Sequence, residues 1–240
     1  FTNSLSVASV DNDGFTGEYL KVGDGLLFYT QTGEKNLPFN TLAGEQQYVM
    51  IDGVGTEEEF AALANVLAGK IAVCSRGDIS FYLKAENAVK YGAIGTIIYN
   101  NRPGTVSMDL SDYTKTQPVV AITQADAELL RAAAQKTAAE GSNAPYYLGT
   151  LTVGSDIASV HYDSAYYTMS DFSSWGVPGS LTLKPEITAP GGNIYSVNGT
   201  HKDNANGPVL GGTDQYEGMS GTSMAAPQTA GMAALAAQYI

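Results

Sequence analysis

The chain has one cysteine, Cys74, so no disulfide can close within it. Cys74 ends the apolar run Ile71-Ala72-Val73-Cys74, where a lone thiol reads as a small core hydrophobe rather than a reactive group. Charge is also scarce: Asp, Glu, Lys and Arg make up 15% of 240 residues, against about 25% in an average soluble protein. The basic sign is the scarcer, with 12 Lys plus Arg against 24 Asp plus Glu. With a net charge of −12 and no Lys/Arg run, the chain repels phosphate backbones, which excludes nucleic acid as a partner. Long apolar runs are missing as well. The Ala-rich stretch from Met224 to Ile240 is too short, and too broken by Pro227 and Gln228, to span a bilayer. Disorder is excluded by the opposite observation, since 44% of the residues are hydrophobic. No paired-carboxylate, phosphate-loop or zinc spacing occurs, so no cofactor and no metal are expected. The plentiful Asp and Glu leave calcium open without arranging any ligand set. The chain opens at Phe1 without a Met, a basic n-region or a cleavage signal, and both ends read as cut from something longer.

What is present falls into three stretches. Leu5 to Val10 reads as a strand closed by the turn Asp11-Asn12-Asp13-Gly14, and Gly17 to Asn40 as short strands in a Gly-rich text. A mixed α/β pattern follows. Tyr48 to Ile51 is a strand, and Thr56 with Glu59 forms a capping box for a helix running to about Ala68. Strands are expected at Lys70–Ser75, Ile94–Tyr99 and Pro118–Ile122. Between the first two lies a helix with Phe81, Ala85, Ala88 and Val89 on one face, stopped by Gly92. Thr123 with Asp126 caps another helix, with Leu130, Ala133, Ala134 and Thr137 on its inner face and Gly141 as its stop. After about Leu151 the text changes again: Ile157 to Tyr162 as a strand, Gly176 to Gly192 mostly as loop, and Ser223 to Ile240 as a helix.

The chemistry concentrates in Gly221-Thr222-Ser223-Met224-Ala225-Ala226-Pro227. A Gly-flanked serine at a helix start has a backbone free to turn tightly and first-turn N–H groups able to hold an oxyanion. Such a serine is placed as a nucleophile if a histidine takes its proton. The competing reading is that Ser223 merely caps the helix.

This stretch resembles the nucleophile signature of the subtilisin-like serine peptidases (subtilases), Gly-Thr-Ser-Met-Ala-x-Pro. Asp171-Phe172-Ser173-Ser174-Trp175-Gly176 is similar to that family's Ser-Phe-Ser-Ser-x-Gly segment. Lys184-Pro185-Glu186-Ile187-Thr188-Ala189-Pro190-Gly191 is similar to its Lys-Pro-Asp-Ile-x-Ala-Pro-Gly segment. The middle of the chain resembles a second family, the protease-associated (PA) domain. The residues carrying that likeness are Gly69-Lys70-Ile71-Ala72-Val73-Cys74-Ser75-Arg76-Gly77, then Phe81, Lys84, Ala88, Gly92-Ala93 and Ile97-Ile98-Tyr99-Asn100-Asn101. Many large subtilases carry such a domain inserted before the nucleophile segment, as here. The resemblance implies a β-sandwich or open barrel with flanking helices, which governs substrate access or binds protein segments. Arg76 and Lys84 read either as ligand contacts or, the blander choice, as structural or solvated groups.

Subtilase chemistry also implies an aspartate, a histidine and an oxyanion-hole asparagine, all ahead of such an insertion. None stands here in its family setting. His161 lies in the strand-like Ser159-Val160-His161-Tyr162 and His201 follows Asn198-Gly199-Thr200, a sequon usable only in a eukaryotic secretory host. Asp52, in Ile51-Asp52-Gly53, faintly resembles the family's aspartate motif but reads as a turn; Asn100 and Asn101 end a PA strand. Gln228 stands where many subtilases have His, a histidine outside the triad. Leu5 to Val10 is similar to the strand that follows the missing asparagine.

The expectations are these. The fold is α/β, a PA domain at 17–155 inserted in the C-terminal part of a subtilisin-like parallel-sheet domain supplied by 1–16 and 156–240. The function is part of a secreted or cell-wall-associated bacterial serine endopeptidase, an expectation to which the acidic balance and absence of disulfides add weakly. Ser223 attacks protein or peptide substrates, and the PA domain modulates access. The chain alone is expected to be inactive and prone to self-association, because the other half of the catalytic domain would cover its strand edges and apolar faces. The alternative from another class is a non-catalytic protein-binding module with Ser223 a relic. A Ser esterase is disfavoured, because no Gly-x-Ser-x-Gly elbow occurs.

Overall fold

The computed structural model describes residues 4–32, 36–138, 144–161, 168–174, 176, 179, 183–197 and 216–240. The chain divides into two compact units. One is Glu18–Ile157; the other joins Phe1–Gly17 to Ala158–Ile240.

In the first unit, the capping box at Thr56 starts α1 (Glu57–Ala61): Glu59 N–H donates to the Thr56 hydroxyl, and the Glu59 carboxylate accepts from Thr56 N–H. The expected single helix breaks at Ala62–Leu63 and resumes as α2 (Ala64–Leu67). α3 (Phe81–Lys90) follows, and Gly92 behind it takes φ +88°, a left-handed turn that side chains resist. The second capping box, Thr123 with Asp126, starts α4 (Gln124–Ala133). That helix ends earlier than its pattern suggests. Gln135–Ala138 instead forms a strand, so Thr137 belongs to a sheet and not to a helix face.

The strands of this unit form a mixed sheet rolled into a nearly closed barrel. In chain order they are β2 (Gly14–Val22), β3 (Gly25–Phe28), β4 (Thr30–Gln31), β5 (Gly44–Met50), β6 (Ile71–Ser75), β7 (Gly95–Tyr99), β8 (Val119–Ile122), β9 (Gln135–Ala138) and β10 (Pro145–His161). They lie in the order β3-β2-β10-β5-β6-β7-β8-β4, with β9 alongside β10. The two ends of that path, β3 and β4, are separated in the chain by Tyr29 alone, which draws the sheet's edges together. β5 to β8 are mutually parallel; β2–β3, β5–β10 and β4–β8 are antiparallel.

Alternation along each strand sorts the core onto two faces. Val49, Ile51, Ala72, Cys74 and Ile98 pack with Phe60, Leu63 and Leu67 of the α1–α2 region and with Ala85 and Ala88 of α3. Tyr48, Met50, Ile71, Val73 and Ile97 pack on the other side with Leu20, Leu27, Phe39 and with Ala127 and Leu130 of α4. Strands buried on both faces read as continuous apolar runs, which is why β6 and β7 stand out in the sequence.

The second unit holds β1 (Val7–Asp11) and β11 (Ile187–Gly192), paired in parallel. It also contains an antiparallel pair, β12 (Ile194–Val197) with β13 (Tyr216–Met219), and the long α5 (Thr222–Tyr239). The stretch expected as loop thus contains a strand. Among the described residues β11 pairs with β1 alone, an edge position in which a proline such as Pro190 is tolerated. The register passes from Val10↔Pro190 to Asp11↔Gly192, skipping Gly191 as a bulge.

Candidate functional site

The second unit is tied together from segments far apart in sequence. Ser170 donates to Asp11 Oδ1 at 2.6 Å, which spends its one proton, so Ser9 donates in the 2.9 Å contact between the Ser9 and Ser170 hydroxyls. The Ser9 N–H donates to Ser173 Oγ at 3.0 Å, and the Ser170 N–H to the Ser9 carbonyl at 3.0 Å. Ser9, Ser170 and Ser173 are all buried. The Asp171–Gly176 motif therefore works, with Ser170 before it, as a clamp on β1. The Lys184–Glu186 motif fixes the other end: Lys184 pairs with Glu186 and also donates to the Ser4 carbonyl, while Glu186 accepts from Ser6 N–H at 2.8 Å. The hydrogen bond from Lys184, then that from the Ser6 backbone, holds the Glu186 carboxyl below its ordinary range.

α5 packs on the β1–β11 pair. Its N-cap is Gly221, which offers no side-chain cap, and Ser223 is the second residue inside the helix. Ser223 is therefore not the cap that the simpler reading of the sequence made it. It is exposed, and its hydroxyl takes no hydrogen-bond partner among the described residues. Its N–H belongs to the first-turn donors that an α-helix leaves without an internal acceptor. The turn is anchored by Gly221 N–H donating to the Gly191 carbonyl at 2.7 Å.

Gly191 is required by proximity. A Cβ there would lie 2.4 Å from Ser9 Oγ, 2.7 Å from the Gly221 carbonyl oxygen and 3.1 Å from Ala225 Cβ. Gly191→Ala is expected to destabilise this unit by about 1–3 kcal/mol through overpacking. The check is a lower urea midpoint followed by the fluorescence of Trp175, the chain's one tryptophan. An unchanged midpoint would show that the contact is looser than this packing.

No base reaches the serine among the described residues. His161 ends β10, exposed, against Gly14, and no hydrogen bond joins it to Ser223. His201, the Asn198 sequon and Trp175 lie outside the described residues. Among the described residues, no group of three or more His, Cys, Asp or Glu is arranged to hold a metal ion.

The candidate contacts of the first unit are structural in their partners. Lys84 is fully buried, and its Nζ donates to the Val54 carbonyl at 2.5 Å; burial pushes its pKa down, against the nearby Cys74, Glu59 and Asp78. Arg76 bonds Asn100 Oδ1 at 3.3 Å, and Asn100 in turn donates to the Gly104 and Thr105 carbonyls. Asp52 sits beyond β5 and pairs with Arg131 at 2.8 Å, consistent with a turn residue and not an activating aspartate. Cys74 is buried, and desolvation pushes its thiol up to about 12, with Lys84 opposing and Glu59 adding. Iodoacetamide at pH 8 is therefore expected to leave the folded chain unmodified and to alkylate it once urea exposes the thiol. Alkylation of the folded chain would contradict this packing.

Comparison with known proteins bears on both units. Residues 25–130 match the family model of the PA domain. Over 99% of its length the chain is 33% identical to the PI-type proteinase of Lactococcus lactis subsp. cremoris, of which it spans 12%. It is 34% identical over 78% of its length to the minor extracellular protease Vpr of Bacillus subtilis, spanning 20% of it. The C5a peptidase of Streptococcus pyogenes is 35% identical over 71% of the chain, which spans 12% of that protein. Among solved structures, a zinc aminopeptidase from Bacillus subtilis aligns with a TM-score of 0.42 and 24% identity, over 64% of this chain and 35% of that one. The chain thus contains a PA domain, its relatives are proteases, and it spans a small part of their length.

Proposed function

We propose, from the premise that residues 25–130 are a PA domain within a protease-like chain, that this protein is a portion of a secreted or cell-wall-associated bacterial serine endopeptidase of the subtilisin type. In this reading, 17–155 is an insertion in a catalytic domain to which 1–16 and 156–240 contribute. Ser223 attacks the peptide carbonyl carbon, its proton passes to a histidine, and the C–N bond breaks to leave an acyl-enzyme and a free amine. The Ser223 N–H supplies one oxyanion donor and an asparagine the other. Both the histidine with its aspartate and the asparagine belong to chain beyond this one. The PA domain, which holds no catalytic group, governs which protein segments reach the cleft. The portion alone is inactive, since a serine without its base is a poor nucleophile.

The observation that supports this reading most is convergence. The three motif segments, scattered over the chain, are joined through the N-terminal strand: Ser173 holds Ser9 of β1, β1 pairs with β11, and Gly191 of β11 accepts the Gly221 N–H at the start of α5, whose later turns are apolar and exposed. Met232 and Leu235 are 53% and 67% exposed, and no charged residue occurs between Thr222 and Tyr239. A helix apolar all round is normally buried, so this one is shaped to be covered.

The reading of Ser223 as a relic in a protein-binding module draws on the absence of any base beside it among the described residues. The gene upstream of Phe1 separates the two. Aspartate, histidine and asparagine motifs in that order, in frame, support the peptidase; an upstream sequence without them leaves the binding module.

A further inference from the structure

Pro227 lies inside α5. A proline has no N–H, so the carbonyl four residues earlier, that of Ser223, loses the donor a helix would give it. The turn carrying the Ser223 hydroxyl is therefore one rung short in its own ladder, and tertiary bonds hold it. Gln228 Nε2 donates to the Pro190 carbonyl of β11 at 2.8 Å and to the Met224 carbonyl at 3.3 Å. A primary amide nitrogen carries two hydrogens, so the two bonds coexist. The next carbonyl along β11, that of Gly191, accepts the Gly221 N–H at 2.7 Å. Two consecutive carbonyls of one strand thus grip the helix on both sides of Ser223, at Gly221 before it and at Gln228 after it.

We infer that Gln228 is a positioning residue for Ser223: its side-chain amide sets the first turn of α5 against β11 and so aims the nucleophile. This rests on the reading of Ser223 as the nucleophile. The bond to Pro190 needs a donor, which leucine lacks, a neutral imidazole supplies and a carboxyl group supplies only when protonated.

The test uses the full-length enzyme and the second-order rate of labelling by a fluorophosphonate. Gln228→Leu is expected to label about 3- to 10-fold more slowly and to lower kcat with KM little changed, as for a misaimed nucleophile. Gln228→His is expected to recover most of the rate. For Gln228→Glu, the rate relative to the native enzyme is expected to fall as pH rises through the carboxyl's titration, a dependence that lost packing alone would not produce. If the native enzyme labels, Ser223→Ala does not, and Gln228→Leu labels at the native rate, the positioning role is wrong and the nucleophile stands. A Glu-to-native ratio flat with pH overturns it equally, even where the Leu variant fails to fold. A native enzyme that does not label at all removes the nucleophile reading and this inference with it.

Discussion

Ser223→Ala in the full-length enzyme is expected to lower kcat on a protein substrate by roughly 10⁴- to 10⁶-fold, with substrate binding little altered. The size follows from the role. In the proposed role the serine oxygen forms the bond to the acyl group, and an alanine methyl has nothing to put in its place. The fold should tolerate the change, because the hydroxyl holds no partner among the described residues and Gly221, not Ser223, is the helix cap. A structural serine would behave in the opposite way, losing stability and keeping activity. Steady-state kinetics with a thermal melt on both proteins separates the cases. Activity within about tenfold of native would show that Ser223 is not the nucleophile.

The second large effect depends on what surrounds α5. In this chain Leu235 is 67% exposed, so Leu235→Ala is expected to shift the urea midpoint by no more than about 0.5 kcal/mol equivalent. In the full-length enzyme the same substitution should cost about 2–5 kcal/mol, the range for emptying a buried leucine site. The contrast between the two backgrounds carries the argument, since neither number alone shows that the helix is covered. Equal, small shifts in both would mean that α5 is a surface helix, and the case for a missing half of the domain would lose its main physical support. The uncovered helix also predicts that this chain self-associates, visible as a concentration-dependent elution volume.

The parts of the fold legible in the sequence were those fixed within a few residues. Thr56 with Glu59 and Thr123 with Asp126 are reciprocal caps, and both helices start where those pairs stand. β6, β7 and β8 are short apolar runs bounded by turns, and burial on both faces leaves only Ser75 and Thr96 as polar interruptions of the pattern. Elements that depend on distant partners were harder to read. β11 runs through Pro190-Gly191-Gly192, a text that argues for a loop until β1 lies beside it, from the other end of the chain. Gln135–Ala138 continues a helical pattern, yet β10 offers it a strand partner that no local window contains. Asp11 looked like a turn residue; it closes a strand and receives Ser170.

The site shows the same division. Ser223 and its motif were legible because seven contiguous residues, Gly221 to Pro227, carry the likeness. The clamp of Ser9, Ser170 and Ser173 was not, because its members come from segments some 160 residues apart, and serine is too common to signal a buried hydroxyl chain. Gln228 was visible only as a departure from the family's usual residue. Its bond to Pro190 gives it a role, and that bond exists only once β11 has formed.

The most direct test is fluorophosphonate labelling of two proteins side by side, this chain and the full-length enzyme, each confirmed folded by circular dichroism. The account predicts that the full-length enzyme labels at Ser223, that its Ser223→Ala variant does not, and that this chain stays unlabelled for want of a base. Labelling of this chain at Ser223 would contradict it, because a base would then lie within these 240 residues, at His161 or His201.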